Sequence, residues 1–209
     1  MNNKNVLLLT GTDIKVNSIG ALYLNDLIKS APKTVVINPY IEEPFMLRLK
    51  RYPRMSRLLN SAIARISYLQ LARIWFFNKF ILSRKVERII YECDLMKIDF
   101  IWLTASSPEL ILIGNKLVDA GMHLKVTVWD APEYLVENLR LPCKARENIF
   151  RSFSNLLLRA NNGMVPSWYM KKTYQEKYEL DSVVIRHGLD DGYKVECTNR
   201  NQQNTENVS

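Results

Sequence analysis

Six short apolar stretches, each of strand length, recur along the chain with segments of helical character between them. Most are apolar at nearly every position, which is typical of strands buried on both faces of a parallel sheet. Strands that alternate with helices predict an α/β fold in which helices flank a parallel sheet. The predicted strands are Val6–Thr10, Thr34–Asn38, Phe100–Thr104, Leu124–Trp129, Asn162–Pro166 and Ser182–Arg186.

Capping residues mark the start of three helices. Ser107 is followed by a proline and a glutamate, and the apolar pattern then runs to Gly121, a residue type that commonly follows the last turn of a helix. The stretch Asp130–Glu133 has the spacing of a capping box, with Asp130 as the N-cap. Ser167 is predicted to cap a helix over residues 168–178.

The positive charge of the chain is concentrated in one segment. The formal net charge is +8, and residues 44–92 contain eleven basic residues against two acidic ones. We therefore expect one α/β domain over residues 1–195 with a basic, amphipathic helical insertion at 44–92. Residues 196–209 are almost wholly polar and are predicted to be a disordered tail.

Three interpretations of the basic segment compete. It is too rich in charge to span a membrane, but cations interleaved with aromatic side chains suit an amphipathic helix that docks on anionic lipid. Alternatively, its apolar residues pack on the sheet and its cations are only solvated. Nucleic-acid binding is the third interpretation, and no recognised nucleic-acid module supports it. The residues expected to dock on a membrane are Arg48, Lys50, Arg51, Arg54, Arg57, Trp75 and Phe76.

Cysteine and histidine are too few and too scattered for a metal site or a disulfide framework. The chain has three cysteines, far apart in sequence, and two histidines. We therefore expect no metal, no cofactor and a reducing compartment. The first residues lead directly into a predicted strand and leave no room for a signal peptide, which predicts a cytoplasmic protein.

Small, polar and acidic residues follow the predicted strands. Because ligands bind beyond the carboxyl ends of parallel strands, these residues predict a binding site at one edge of the sheet. The glycine-containing loop after the first strand is either a phosphate-binding turn or a plain connection, since it lacks the spacing of a dinucleotide fingerprint. The candidate residues are Gly11, Ser18, Gly20, Ser107, Asp130, Glu133, Ser167 and His187.

Asp130 is the candidate general base, because a carboxylate at the end of a strand faces the binding edge. Its spacing from Glu133 also suits ordinary helix capping, and the two roles are compatible.

Four segments, in their order and spacing, resemble the N-terminal half of family 4-like glycosyltransferases of the GT-B fold. They are the stretches at 6–20, 126–130, 164–167 and 184–190, and the resemblance covers about residues 4–191. It implies a Rossmann-like domain that binds a glycan or a lipid-linked acceptor at the cytoplasmic face of a membrane. It also implies that Asp130 accepts the proton of the acceptor hydroxyl, that the Gly11–Gly20 loop borders the donor diphosphate, and that His187 faces the interdomain cleft.

The chain departs from that family in two ways. Trp129 and Asp130 stand where many members have a histidine, and no two glutamates are separated by eight positions, as they are in the donor-binding domain of the family. The nucleotide-sugar donor is therefore expected to need a second domain or a partner chain, and this chain is expected to be inactive alone. The alternative is a non-catalytic Rossmann-like module that binds a membrane surface or a partner.

Overall fold

The computed structural model describes residues 5–11, 24, 25, 28, 34–37, 67–137 and 141–185 of the 209-residue chain. Within these residues, six strands form one sheet, and each lies inside one of the six predicted stretches. The strands are β1 (Val6–Leu9), β2 (Thr34–Ile37), β3 (Phe100–Thr104), β4 (Leu124–Thr127), β5 (Asn162–Val165) and β6 (Ser182–Val184).

The strand order across the sheet is β2-β1-β3-β4-β5-β6, and every neighbouring pair is parallel. Leu9 lies opposite Leu103, and Thr104 lies opposite Thr127. β2 lies on one side of β1, whereas β3 and all later strands lie on the other side of β1. The order therefore reverses between β1 and β3, which is the switch point where open α/β sheets bind ligands. The Rossmann-like parallel sheet is confirmed.

Among the described residues, six helices and one π-helical turn lie between these strands. Residues Leu24, Asn25 and Ile28 are also helical. The elements are α1 (Ser67–Phe76), the π-turn (Phe77–Ile81), α2 (Leu82–Met96), α3 (Pro108–Asp119), α4 (Pro132–Glu137), α5 (Cys143–Arg159) and α6 (Trp168–Tyr178).

The sheet separates two apolar layers, because successive side chains of a strand point to opposite faces. On one face Leu7 and Leu9 belong to a large core that also takes buried residues from α2, α3, α5 and α6. On the other face Val6 and Leu8 pack with Leu24 and Trp102. All four residues of β1 are buried, as the continuous apolar run predicted. Fully burying a leucine contributes about 1.5–3 kcal/mol, so the leucines of this central strand contribute strongly to the stability of the fold.

A close approach of α3 to its neighbours depends on Gly114. A Cβ atom at this position would lie 2.6 Å from Cδ2 of Leu103 in β3 and 2.8 Å from Cδ1 of Leu156 in α5. Such separations are shorter than carbon–carbon contacts, so the ends of the Leu103 and Leu156 side chains would have to shift to accept a Cβ atom here.

Candidate functional site

The structure brings four of the predicted site residues to the carboxyl edge of the sheet. Gly11 follows β1, Ser107 follows β3, Asp130 follows β4 and Ser167 follows β5. These four strands are parallel neighbours, so their carboxyl ends lie side by side. Glu133 is also described and lies in α4. The other three candidates, Ser18, Gly20 and His187, lie outside the described residues.

At the switch point between β1 and β3 the strand ends are held by buried threonines. Thr10 and Thr104 are fully buried, and the Thr104 hydroxyl donates to the carbonyl of Leu9 across 3.3 Å. Beyond them, Gly11 is half-buried and Ser106 is exposed. The floor of the crevice is therefore fixed by the sheet, and the described residues that follow it, Gly11 and Ser106, are small.

Two serines of the site act as helix caps, as predicted. The Ser107 hydroxyl oxygen accepts from the backbone N–H of Leu110 at 3.2 Å, and the Ser167 hydroxyl oxygen accepts from that of Met170 at 3.1 Å. Pro108 occupies the first turn of α3, and Gly121 follows the end of that helix with φ +77°. Both caps point the N-terminus of a helix, with its partial positive charge, toward the binding edge.

Asp130 does not cap α4. The helix begins at Pro132, and the carbonyl of Ala131 accepts the first helical hydrogen bond, from the N–H of Tyr134 at 3.0 Å. Asp130 and Glu133 are both exposed, and neither side chain is hydrogen-bonded to another residue in the part of the chain that the structure describes. The capping interpretation of Asp130 was therefore wrong, because the proline moves the helix start one residue along. Its carboxylate faces solvent at the binding edge.

A buried tyrosine beside these carboxylates was missed by the sequence analysis. Tyr174 in α6 is 5 % exposed, and its hydroxyl has no hydrogen-bond partner among the described residues. Burial, the neighbouring Tyr178 and the charges of Glu133 and Asp130 together raise the pKa of Tyr174 above its usual range. The sequence shows only that the two tyrosines share a helix face, which is equally typical of core residues.

Lys177 supplies a cation next to the same tyrosine pair. A hydrogen bond with the Tyr178 side chain, together with the negative charge of Glu133, raises the pKa of Lys177. The ammonium group therefore stays protonated at neutral pH. The edge beyond β4 thus presents two exposed carboxylates, which can accept hydrogen bonds from the hydroxyl groups of a ligand, whereas the nearby Tyr174 hydroxyl is buried.

A groove opens next to this edge, within the helical layer. It has a volume of about 250 Å³ and lies between α1, the first turns of α3 and the first turns of α5. One wall is formed by Leu71, Ile74 and Trp75, with Asn78 of the π-turn, and the floor by Pro108, Ile111 and Leu112. The opposite wall is formed by Ala145, Asn148, Ile149 and Ser152. No charged side chain lines it among the described residues.

The basic segment is described from residue 67 onward, where it is helical. Arg48, Lys50, Arg51, Arg54 and Arg57 lie outside the described residues. α2 carries Leu82, Val86, Ile89 and Cys93 into the core, so this part of the segment is the crossover that leads to β3. Around the π-turn the chain instead presents aromatic residues to solvent.

We call Trp75, Phe76, Lys79 and Phe80 the aromatic patch. Trp75 is 56 % exposed and Phe80 is 48 % exposed, whereas Phe76 is half-buried. The N–H of Leu82 donates to the carbonyl of Phe77, five residues back, and this wider turn brings side chains five apart close together. The rings of Trp75 and Phe80 are 5.9 Å apart, and the Lys79 ammonium lies 4.9 Å from the Trp75 ring.

The described residues contain no cluster of three or more histidine, cysteine, aspartate or glutamate side chains that could hold a metal ion. Nor do they include a helix that is both long and apolar enough to cross a membrane. No protein-family model, no curated protein and no solved structure matches the chain.

Proposed function

We propose that the chain is the acceptor-binding half of a family 4-like glycosyltransferase that transfers a sugar to a glycan or to a lipid-linked acceptor. The observation that carries this proposal is the exposed Asp130 carboxylate, which stands at the carboxyl edge of the sheet without a protein partner among the described residues. A carboxylate in this position is available to a hydroxyl of an acceptor. The sequence resemblance assigns the same residue to the same role.

In this function Asp130 accepts the proton of the acceptor hydroxyl as that oxygen attacks the donor sugar. The hydroxyl must lie within about 2.6–3.2 Å of the carboxylate oxygen for this transfer. The exposed carboxylate of Glu133, in α4, accepts hydrogen bonds from the other hydroxyl groups of the acceptor. The donor diphosphate is expected beside Gly11, at the switch point, where a second domain or a partner chain holds it.

Soluble alkyl glycosides test the acceptor site. We expect octyl β-glucoside, octyl β-galactoside or octyl β-N-acetylglucosaminide to bind with a preference for one sugar, measured by isothermal titration calorimetry below the critical micelle concentration. Asp130→Asn replaces the charged acceptor of a hydrogen bond with a neutral amide and should weaken binding of that sugar about tenfold. The purified chain alone should not transfer sugar from any nucleotide-sugar.

Asp181→Asn is the matched control, because Asp181 is an exposed carboxylate that precedes β6 at the opposite edge of the sheet. Equal binding of the three glycosides, or equal effects of the two substitutions, contradicts the acceptor proposal. Robust transfer by the isolated chain contradicts the need for a second domain or a partner chain.

A second candidate function is a non-catalytic module that docks on an anionic membrane surface at the cytoplasmic side. The aromatic patch favours it, because exposed tryptophan and phenylalanine beside a lysine suit the boundary between lipid headgroups and acyl chains. Apart from Arg73, which pairs with Glu109, residues 67–85 contain three cations and no acidic residue. Trp75→Ala combined with Phe80→Ala should then release the protein from anionic vesicles in co-sedimentation, whereas Tyr91→Ala, an exposed aromatic of α2, should not.

A further inference from the structure

We propose that the groove between α1, α3 and α5 binds the hydrocarbon chain of an amphiphilic acceptor whose polar head lies at the carboxyl edge of the sheet. This inference rests on the proposed acceptor function and names the chemical class of the acceptor, a lipid with a single alkyl or isoprenoid chain in the groove.

The lining of the groove fits a hydrocarbon. Apolar side chains come from all three helices, with Ile74 and Trp75 on one side, Ile111 below and Ile149 on the other side. The polar groups are neutral amides and a hydroxyl, which offer too few partners for the many hydroxyls of a sugar. An apolar chain placed here loses contact with water without leaving a buried charge unpaired.

The position of the groove fits an amphiphile in particular. Its floor begins at Pro108, directly after Ser107 at the carboxyl edge, so the head of a chain lying in the groove emerges next to the predicted sugar site. The Lys79 ammonium lies 4.9 Å from the ring of Trp75, a residue of the groove wall, so a positive charge is available beside the groove for the phosphate of an amphiphile. This charge complementarity favours an anionic lipid over a neutral apolar peptide.

The size of the groove limits the length of chain that it covers. A methylene group takes up about as much room as a water molecule, ~30 Å³, so about 250 Å³ accommodates ~8 methylene groups. Each methylene transferred from water should improve the dissociation constant ~4-fold. Affinity should therefore rise steeply with chain length up to about eight carbons and then level off.

A series of alkyl phosphates from butyl to dodecyl tests the groove directly. Isothermal titration calorimetry measures the binding of each alkyl phosphate to the 209-residue protein, below the critical micelle concentration of that alkyl phosphate. Ala145→Phe places a ring in the groove from α5, and the octyl phosphate affinity should fall at least tenfold. Ser152→Leu fills the groove from a second position on the same helix and keeps the test decisive if the first variant does not fold.

Ala120→Phe is the matched control, because Ala120 is an exposed alanine at the far end of α3. It should bind octyl phosphate as the unmodified protein does. The proposal is overturned if affinity does not depend on chain length, or if both groove variants bind like the control. If light scattering shows instead that two copies of the protein associate and that octyl phosphate separates them, the groove is a contact between protein copies and the proposal is overturned.

The acceptor function and the groove can fail separately. If methyl glycosides bind as tightly as octyl glycosides and respond to Asp130→Asn, the sugar site stands and the groove proposal is wrong. If alkyl phosphates bind in the groove but no glycoside responds to Asp130→Asn, the groove stands and the acceptor function is wrong.

Discussion

An ion pair holds α1 against the start of α3 and so helps to form one side of the groove. Nη2 of Arg73 lies 2.7 Å from Oε1 of Glu109. Glu109 is only 7 % exposed, whereas the Arg73 side chain is 38 % exposed. Glu109 also lies in the first turn of α3, where the helix dipole favours a carboxylate. The two partners are therefore unequal, because the anion has lost far more of its contact with water.

This inequality predicts unequal effects of removing either partner. Breaking a fully buried ion pair costs about 3–5 kcal/mol. Arg73→Met leaves the Glu109 carboxylate nearly buried, but the helix dipole offsets part of that cost, so we expect about 2 kcal/mol. Glu109→Gln leaves an arginine that reaches water, and we expect about 1 kcal/mol. The double variant removes both charges and should lose about 1 kcal/mol, clearly less than the two single effects together.

Urea unfolding followed by far-ultraviolet circular dichroism measures the three free energies of unfolding under identical conditions. A loss of about 2 kcal/mol corresponds to a fall in Tm of about 4–8 °C for a chain of this size. The coupling energy from the double-mutant cycle should exceed 1 kcal/mol. If the losses of the two single variants sum to the loss of the double variant within about 0.5 kcal/mol, the reasoning is refuted, because the two charges then do not interact measurably.

Three further predictions concern other parts of the fold. Gly114→Ala should lower the free energy of unfolding by about 1 kcal/mol in urea titrations, because overpacking outweighs the gain in helix propensity. In a variant that lacks Cys197, a thiol reagent at pH 8 should react with the exposed Cys143 while the buried Cys93 stays protected. Burial raises the pKa of Cys93 to about 11, so little reactive thiolate forms there. Equal reaction rates of the two cysteines would contradict this. The hydrogen bond from Arg159 lowers the pKa of Asp119, so the small stabilisation from this pair is present at neutral pH and lost as pH falls through that lowered pKa. The difference in Tm between wild type and Arg159→Ala should accordingly be at most about 4 °C at pH 7 and vanish near pH 2.

Much of the fold could be predicted because its signals are local. The six strands follow from short apolar stretches, and the N-caps at Ser107 and Ser167 follow from hydroxyls placed just before a helical pattern. The placement of Gly11, Ser107, Asp130 and Ser167 at one edge could be predicted by the same logic, since the carboxyl ends of parallel strands meet there. Local signals also misled, as Asp130 had the spacing of a cap but the helix begins at Pro132.

The sequence by itself determined the α/β class, the order of elements along the chain and the carboxylate after β4. The tertiary structure decided the position of each strand in the sheet, the exposure of the aromatic patch and the existence of the groove. It also placed the buried Tyr174 hydroxyl under the influence of Asp130 and Glu133. The physical reason is that a cap or an apolar run is formed by residues a few positions apart. The groove and the burial of Tyr174 depend on the packing of helices that are distant in sequence, and no single segment encodes that packing.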